Sequence, residues 1–231
     1  MPELQSLLVA ARNGNMKGVI ALVSREVSPV DVNTASPTDG STALIAASEG
    51  GHAAVVSFLV SIGAAVDAAD TLGWTALHFA AVNGHVACTQ CLVAAGAVVD
   101  AREKVGWTPL HVAAMNGRTE CVSTLVKLGS SLDAVNKYQL GVVHVAARSG
   151  HTDCVRALVG LGAAVDARTY YGETPLHLAA VGGYVDVVHE LVSAGGDLHA
   201  RDRDGRKAED KARDRNKHQV ATYLAEVSTR A

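Results

Sequence analysis

Gly106-Trp107-Thr108-Pro109-Leu110-His111 is the phrase on which this chain turns. It stands earlier as Gly73-Trp74-Thr75-Ala76-Leu77-His78, later as Gly172-Glu173-Thr174-Pro175-Leu176-His177, and between them in a degraded copy ending Val142-Val143-His144. His78, His111, His144 and His177 are spaced by 33 residues. Self-similarity at a fixed period of about 20 to 50 residues marks an array of small units, none able to bury a core alone. Threonine is a good helix N-cap, and proline at the next position has a preset φ and needs no amide partner.

The grammar extends past the phrase. Each histidine is followed by paired alanines (Ala80-Ala81, Ala113-Ala114, Ala146-Ala147, Ala179-Ala180) and then by glycine at 84, 117, 150 and 183, placed to close a helix in the left-handed conformation. Asn216 takes that register in the last unit, and asparagine tolerates the same geometry next best. A second apolar stretch follows, with Val55 and Leu59, Cys88 and Leu92, Cys121 and Leu125, Cys154 and Leu158, and Val187 and Leu191 at i, i+4 spacing, one buried helical face. Period and wording together resemble the ankyrin repeat, a turn followed by two antiparallel helices, the first opening on Thr-Pro-Leu-His.

The resemblance implies an all-α repeat solenoid with β-turn or hairpin loops and about six stacked units, caps included. Residues 1–36 read as an N-terminal capping repeat whose connection is lengthened by Glu26-Val27-Ser28-Pro29-Val30. Residues 37–201 read as five repeats opening near Pro37, Asp70, Glu103, Asn136 and Thr169, and residues 202–231 as a C-terminal cap. In that cap Arg201 to Lys207 and Glu209 to Arg215 replace the apolar phrase with mixed charge. End repeats need a polar outer face, so capping is favoured there over a nucleic-acid patch.

Aromatic residues make up 4% of the 231 and apolar residues 48%, as closely stacked helices of Ala, Val and Leu require. A net charge of −3 gives no bulk attraction to nucleic acid or anionic membrane. No apolar run reaches the roughly 18 residues of a membrane span, and Leu7-Leu8-Val9-Ala10-Ala11 lies between Glu3 and Arg12 without the basic flank of a leader. Four cysteines without a leader fit a reducing compartment, cytosol or nucleus.

Catalytic signals do not assemble. Cys88, Cys121 and Cys154 recur every 33 residues and form a ladder. Its rungs would lie about 8 to 10 Å apart, whereas zinc needs thiolates about 2.3 Å from one centre. Cys88 and Cys91 make a lone Cys-x-x-Cys without a second pair. Seven of the ten histidines follow the repeat, and the family resemblance implies that those of the phrase bond neighbouring loop backbone. Phosphate loops, zinc-protease helices and nucleophile elbows are absent from the sequence. The expectation is a non-catalytic, monomeric protein without cofactor, metal or small-molecule substrate, whose job is to bind a partner protein. Service as a regulatory or targeting subunit of a larger complex is the alternative.

In the resembling family the variable positions lie at turn tips and along the exposed side of the first helix. On this chain they are Leu72 and Trp74, Val105 and Trp107, Tyr138 and Leu140, and Tyr170 and Tyr171, with Met115 and Arg148 continuing the face. Trp and Tyr are enriched among binding hot spots. Trp74 and Trp107 carry a second reading, packing over the neighbouring turn. The fifth unit departs from the pattern: Gln139-Leu140-Gly141-Val142-Val143-His144 loses the turn glycine, the Thr cap and the Pro. A lost cap costs about 1 kcal/mol, so faster amide exchange is expected at residues 136–146 than at 103–113.

Overall fold

The computed structural model describes residues 2–25 and 30–229, so the connection read at residues 26–29 lies outside the described residues. The described residues form fourteen helices. In chain order they are α1 (Pro2–Arg12), α2 (Met16–Val23), α3 (Ala43–Glu49), α4 (Ala53–Ser61), α5 (Ala76–Asn83), α6 (Val86–Ala94), α7 (Pro109–Met115) and α8 (Thr119–Lys127). They continue with α9 (Val142–Ser149) and α10 (Thr152–Gly160), α11 (Pro175–Gly182) and α12 (Val185–Ser193), and α13 (Ala208–Asp214) and α14 (His218–Ser228). The charged terminal segment, read as a cap, forms a packed helix pair, α13 with α14. Its buried Ala208, Ala212, Val220 and Leu224 keep the apolar register beneath the charges.

Helices of 7 to 11 residues are too short to stand alone in water and depend on the neighbours they stack against. The chain divides into two compact units, one running to Val112 and including Lys127–Ser130, the other formed by Ala113–Val126 and everything from Ser131 onward. In the first unit α3 packs between α1 and α5; in the second α11 packs between α9 and α13. Both cores use the same residues at the same places. The paired alanines are fully buried, which brings first helices close together, and Leu59, Leu92, Leu158 and Leu191 are fully buried in the second helices. Burying each such leucine contributes about 1.5 to 3 kcal/mol.

The phrase builds the helix start as a closed circuit. The backbone N–H of Thr174 donates to His177 Nδ1 at 3.1 Å, and the threonine Oγ1 lies 2.9 Å from that nitrogen. With Nδ1 accepting, Nε2 carries the proton and donates to the carbonyl of Arg206, 3.0 Å away in the following loop. His78 repeats this with Thr75 and the Trp107 carbonyl, and His144 reaches Ala167 and Glu173. Burial lowers the pKa of His78, His144 and His177, in keeping with their neutral, donating form. The expected bonds from phrase histidine to loop backbone are therefore present.

At the helix end Gly150 has φ +78°, and a Cβ there would stand 2.8 Å from the Tyr184 ring. Both constraints select glycine. Asn216 adopts φ +56° at the equivalent place, as its register predicted.

Candidate functional site

The turn tips are shaped by a device that the sequence reading passed over. Four of the five repeats and the C-terminal cap open with a side chain whose oxygen accepts two amides of its own tip. Asp70 takes Leu72 and Trp74, both at 2.8 Å, and Glu103 takes Val105 and Trp107 at 2.7 and 2.9 Å. Asn136 takes Tyr138 and Leu140 at 2.8 and 3.1 Å, and Thr169 takes Tyr171 and Glu173 at 3.2 Å each. Asp202 holds Asp204 and Arg206 in the same way. The signal was available: a side-chain acceptor recurs every 33 residues at positions identified only as repeat starts. Antiparallel bridges, Ala69 with Thr75 and Val135 with Gly141, close two of the loops.

In the first unit Leu72 is exposed at its tip, whereas Val105 is half-buried. Trp74 is half-buried, its ring centroid 5.6 Å from His78 and 5.3 Å from Phe79, and Trp107 lies 5.5 Å from His111. Both tryptophans thus lean back over the first helices of their own repeats, whereas the packing alternative placed them over a neighbouring turn.

In the second unit Tyr138, Tyr170 and Tyr171 are 55 to 60% exposed, Arg148 is exposed and Met115 is half-buried. Leu140, expected as a free tip residue, is only 9% exposed. The reason is local. Asn136 accepts the Leu140 amide and donates its own to the Leu140 carbonyl at 3.1 Å, so the chain has already turned back when it reaches this residue.

Leu140 and Leu178 join buried Thr169 as the base of a cavity of about 310 Å³, whose exposed edge is Tyr138, Tyr171 and Arg148, with Glu173 beside them. Four of the expected contact residues thus meet in one place. The register explains the opening. At the register where Trp74 stands against Phe79, this pair of repeats carries Leu140 with Val145 and Glu173 with Leu178, and smaller or polar side chains leave the room that an indole occupies there.

Electrostatics divide the same surface. Glu173 pairs with Lys211, whose Nζ also lies 3.0 Å from Asp202. Burial pushes the Asp202 carboxyl up, but the Arg206 amide and the Lys211 ammonium overcome it and hold the pKa below 3.8. Arg148 and Lys137 have no bonded partner among the described residues, and Arg203 lies over the Tyr170 ring, 4.2 Å from its centroid. The C-terminal charges largely satisfy one another: Arg206 bonds Asp204, Arg213 bonds Glu209, and Arg201 caps the Gly205 carbonyl. Cys88, Cys121 and Cys154 are buried free thiols, and no group of three or more potential ligands converges on a metal position among the described residues.

The family model described as ankyrin repeats (3 copies) matches residues 7–103, 62–136, 83–169 and 130–202. The chain belongs to the ankyrin repeat family. No curated protein matches it in sequence. Among solved structures, it is similar to the ankyrin repeat domain of human ASB11, at 30% identity over 94% of this chain and 96% of that one, with a TM-score of 0.84. Ankyrin repeats are generally protein-interaction modules, and the fold is typically non-catalytic. Within this ankyrin array, the variable positions Tyr138, Arg148 and Tyr171 gather around the cavity of the second unit. Among the described residues no helix is long and apolar enough to cross a membrane.

Proposed function

We propose that the chain is a scaffold or adaptor that grips a partner protein through its turn tips and first-helix face, without catalysis, and that it works in the cytosol or nucleus. The observation that carries this reading is the cavity edged by Tyr138, Tyr171 and Arg148 on an apolar base. Exposed aromatic rings around a preformed hollow are the arrangement from which binding hot spots are made. The tips are already fixed by Asn136 and Thr169, so little conformational freedom is lost on association. In the first unit, Leu72 offers a further exposed apolar contact at its tip. The internal pairing of the C-terminal charges favours capping over nucleic-acid binding as their role. The free thiols support the choice of compartment.

Affinity capture from lysate tests the reading, comparing the native chain with Tyr138→Glu/Tyr171→Glu. Both rings are exposed, so the variant should keep its helical circular dichroism and melting temperature while losing bound protein. Retention of the same proteins by the folded variant would move the interface elsewhere.

A further inference from the structure

The hollow of the second unit also has a chemical preference. Its base is apolar, with Leu140, Leu178 and the buried Thr169. The charge in its wall is settled internally, since Glu173 is paired with Lys211 and not left to a ligand. The exposed cations around it are not settled: Arg148 edges the cavity without a bonded partner, Lys137 precedes Tyr138 at one tip, and Arg203 covers Tyr170 at the next. Although the whole chain carries −3, this face therefore presents unpaired positive charge beside an apolar hollow.

We infer that the surface takes an extended peptide segment in which a large apolar side chain, leucine or an aromatic, is flanked by carboxylates. The apolar side chain enters between the rings of Tyr138 and Tyr171 and rests on Leu140 and Leu178. A neighbouring carboxylate meets the Arg148 guanidinium, whose planar fork matches it with two hydrogen bonds. Lys137 and Arg203 supply longer-range attraction that speeds encounter and falls with salt. A basic or purely apolar segment would leave Arg148 opposed or unpaired and is selected against. The inference rests on the proposed protein-binding role and specifies its ligand.

The test is selection from a displayed random-peptide library on the immobilised full chain, on Arg148→Glu and on Tyr138→Glu/Tyr171→Glu, each first shown to melt like the native protein. The native chain should enrich peptides with Asp or Glu next to Leu, Phe or Trp. A labelled peptide from that set should bind about 10-fold more weakly to Arg148→Ala, with affinity falling as salt rises. Arg148→Glu should instead enrich basic neighbours around the same apolar residue, an inversion that misfolding cannot produce. Enrichment that requires both tyrosines but shows no acidic signature overturns the inference and leaves the protein-binding role standing. Absence of enrichment, or equal enrichment on the tyrosine variant, overturns the inference as well, and the lysate capture then decides the role separately. Stronger binding of labelled oligothymidylate than of any peptide would equally refute it, in favour of a polyanion.

Discussion

Gly141→Thr should stabilise the chain, and its magnitude can be worked from the neighbours of residue 141. Gly141 is the N-cap of α9, with φ −91° and ψ 174°, extended backbone that any residue adopts. Half of the closed circuit survives there, since the Gly141 amide donates to His144 Nδ1 at 3.2 Å. The hydroxyl half is missing. A Cβ would meet His144 Nδ1 at 3.6 Å, the Ala134 carbonyl at 3.7 Å and Val135 at 3.9 Å, all ordinary contacts. A hollow of about 90 Å³ lined by the same residues can receive the rest of the side chain. Thr108 Oγ1 shows what is gained, 2.8 Å from His111 Nδ1 and accepting the His111 amide at 3.4 Å. Replacing glycine where the backbone permits contributes about 0.4 to 1 kcal/mol through the unfolded chain, and the cap a few tenths more. One hydroxyl hydrogen bond adds about 0.5 to 1 kcal/mol. The sum is about 1.5 kcal/mol, which is roughly tenfold in a local opening constant and about 3 to 6 °C in melting temperature. Native-state hydrogen exchange reads it directly: amides of residues 142–146 should gain about tenfold protection. Unchanged or lower protection in a folded variant would refute the capping argument.

Three further outcomes are expected. Gln139 holds φ +59° at a place where Gly73, Gly106, Gly172 and Gly205 stand in other repeats. The left-handed conformation costs about 1 to 2 kcal/mol for an L residue, against about 0.5 to 1 of extra chain entropy for glycine, so Gln139→Gly should stabilise by about 0.5 to 1 kcal/mol in urea unfolding at unchanged m-value. Burial holds His78, His144 and His177 below the usual 6.5. Between that value and their folded pKa values the unfolded chain binds more protons, so stability is full above about pH 6.5 and lost as pH falls through that window; melting temperatures that stay flat from pH 7 to 5 would contradict this. Lys211→Met takes the nearer cation from Asp202, whose side chain is 3% exposed and keeps Arg206 at 3.4 Å, and should cost about 2 kcal/mol in denaturant unfolding, because a buried charge that loses a partner is strongly destabilising.

The repeat frame was legible in the sequence because each structural word recurs. Thr caps, left-handed glycines, paired alanines and phrase histidines all stand where the 33-residue period puts them. The terminal unit was legible as a cap, but the burial of Lys211 was not, since it replaces the apolar residue of α11, Leu178, and depends on Glu173 and Asp202, charges too far apart in the chain for periodicity to connect. Tyr138, Tyr171 and Arg148 were legible as residues at the variable positions of the family. That they surround one cavity was not, because the cavity arises from what is missing, an indole at positions 140 and 173. Leu140 was misjudged for a related reason. The tip reading counted residues along the loop, whereas the Asn136 side chain fixes where the loop turns back.

The hold of each opening residue on its own tip also has a consequence for how such a chain changes over time. Asn136 and Thr169 set the loop geometry through backbone amides, so Lys137, Tyr138, Tyr170 and Tyr171 contribute little to the turn that displays them. Mutations at these four places can alter recognition with small penalties to folding. Drift and selection can therefore act on specificity almost independently of architecture, and a designer who varied those dipeptides while keeping Asn136 and Thr169 would obtain a panel of receptors on one unchanged frame.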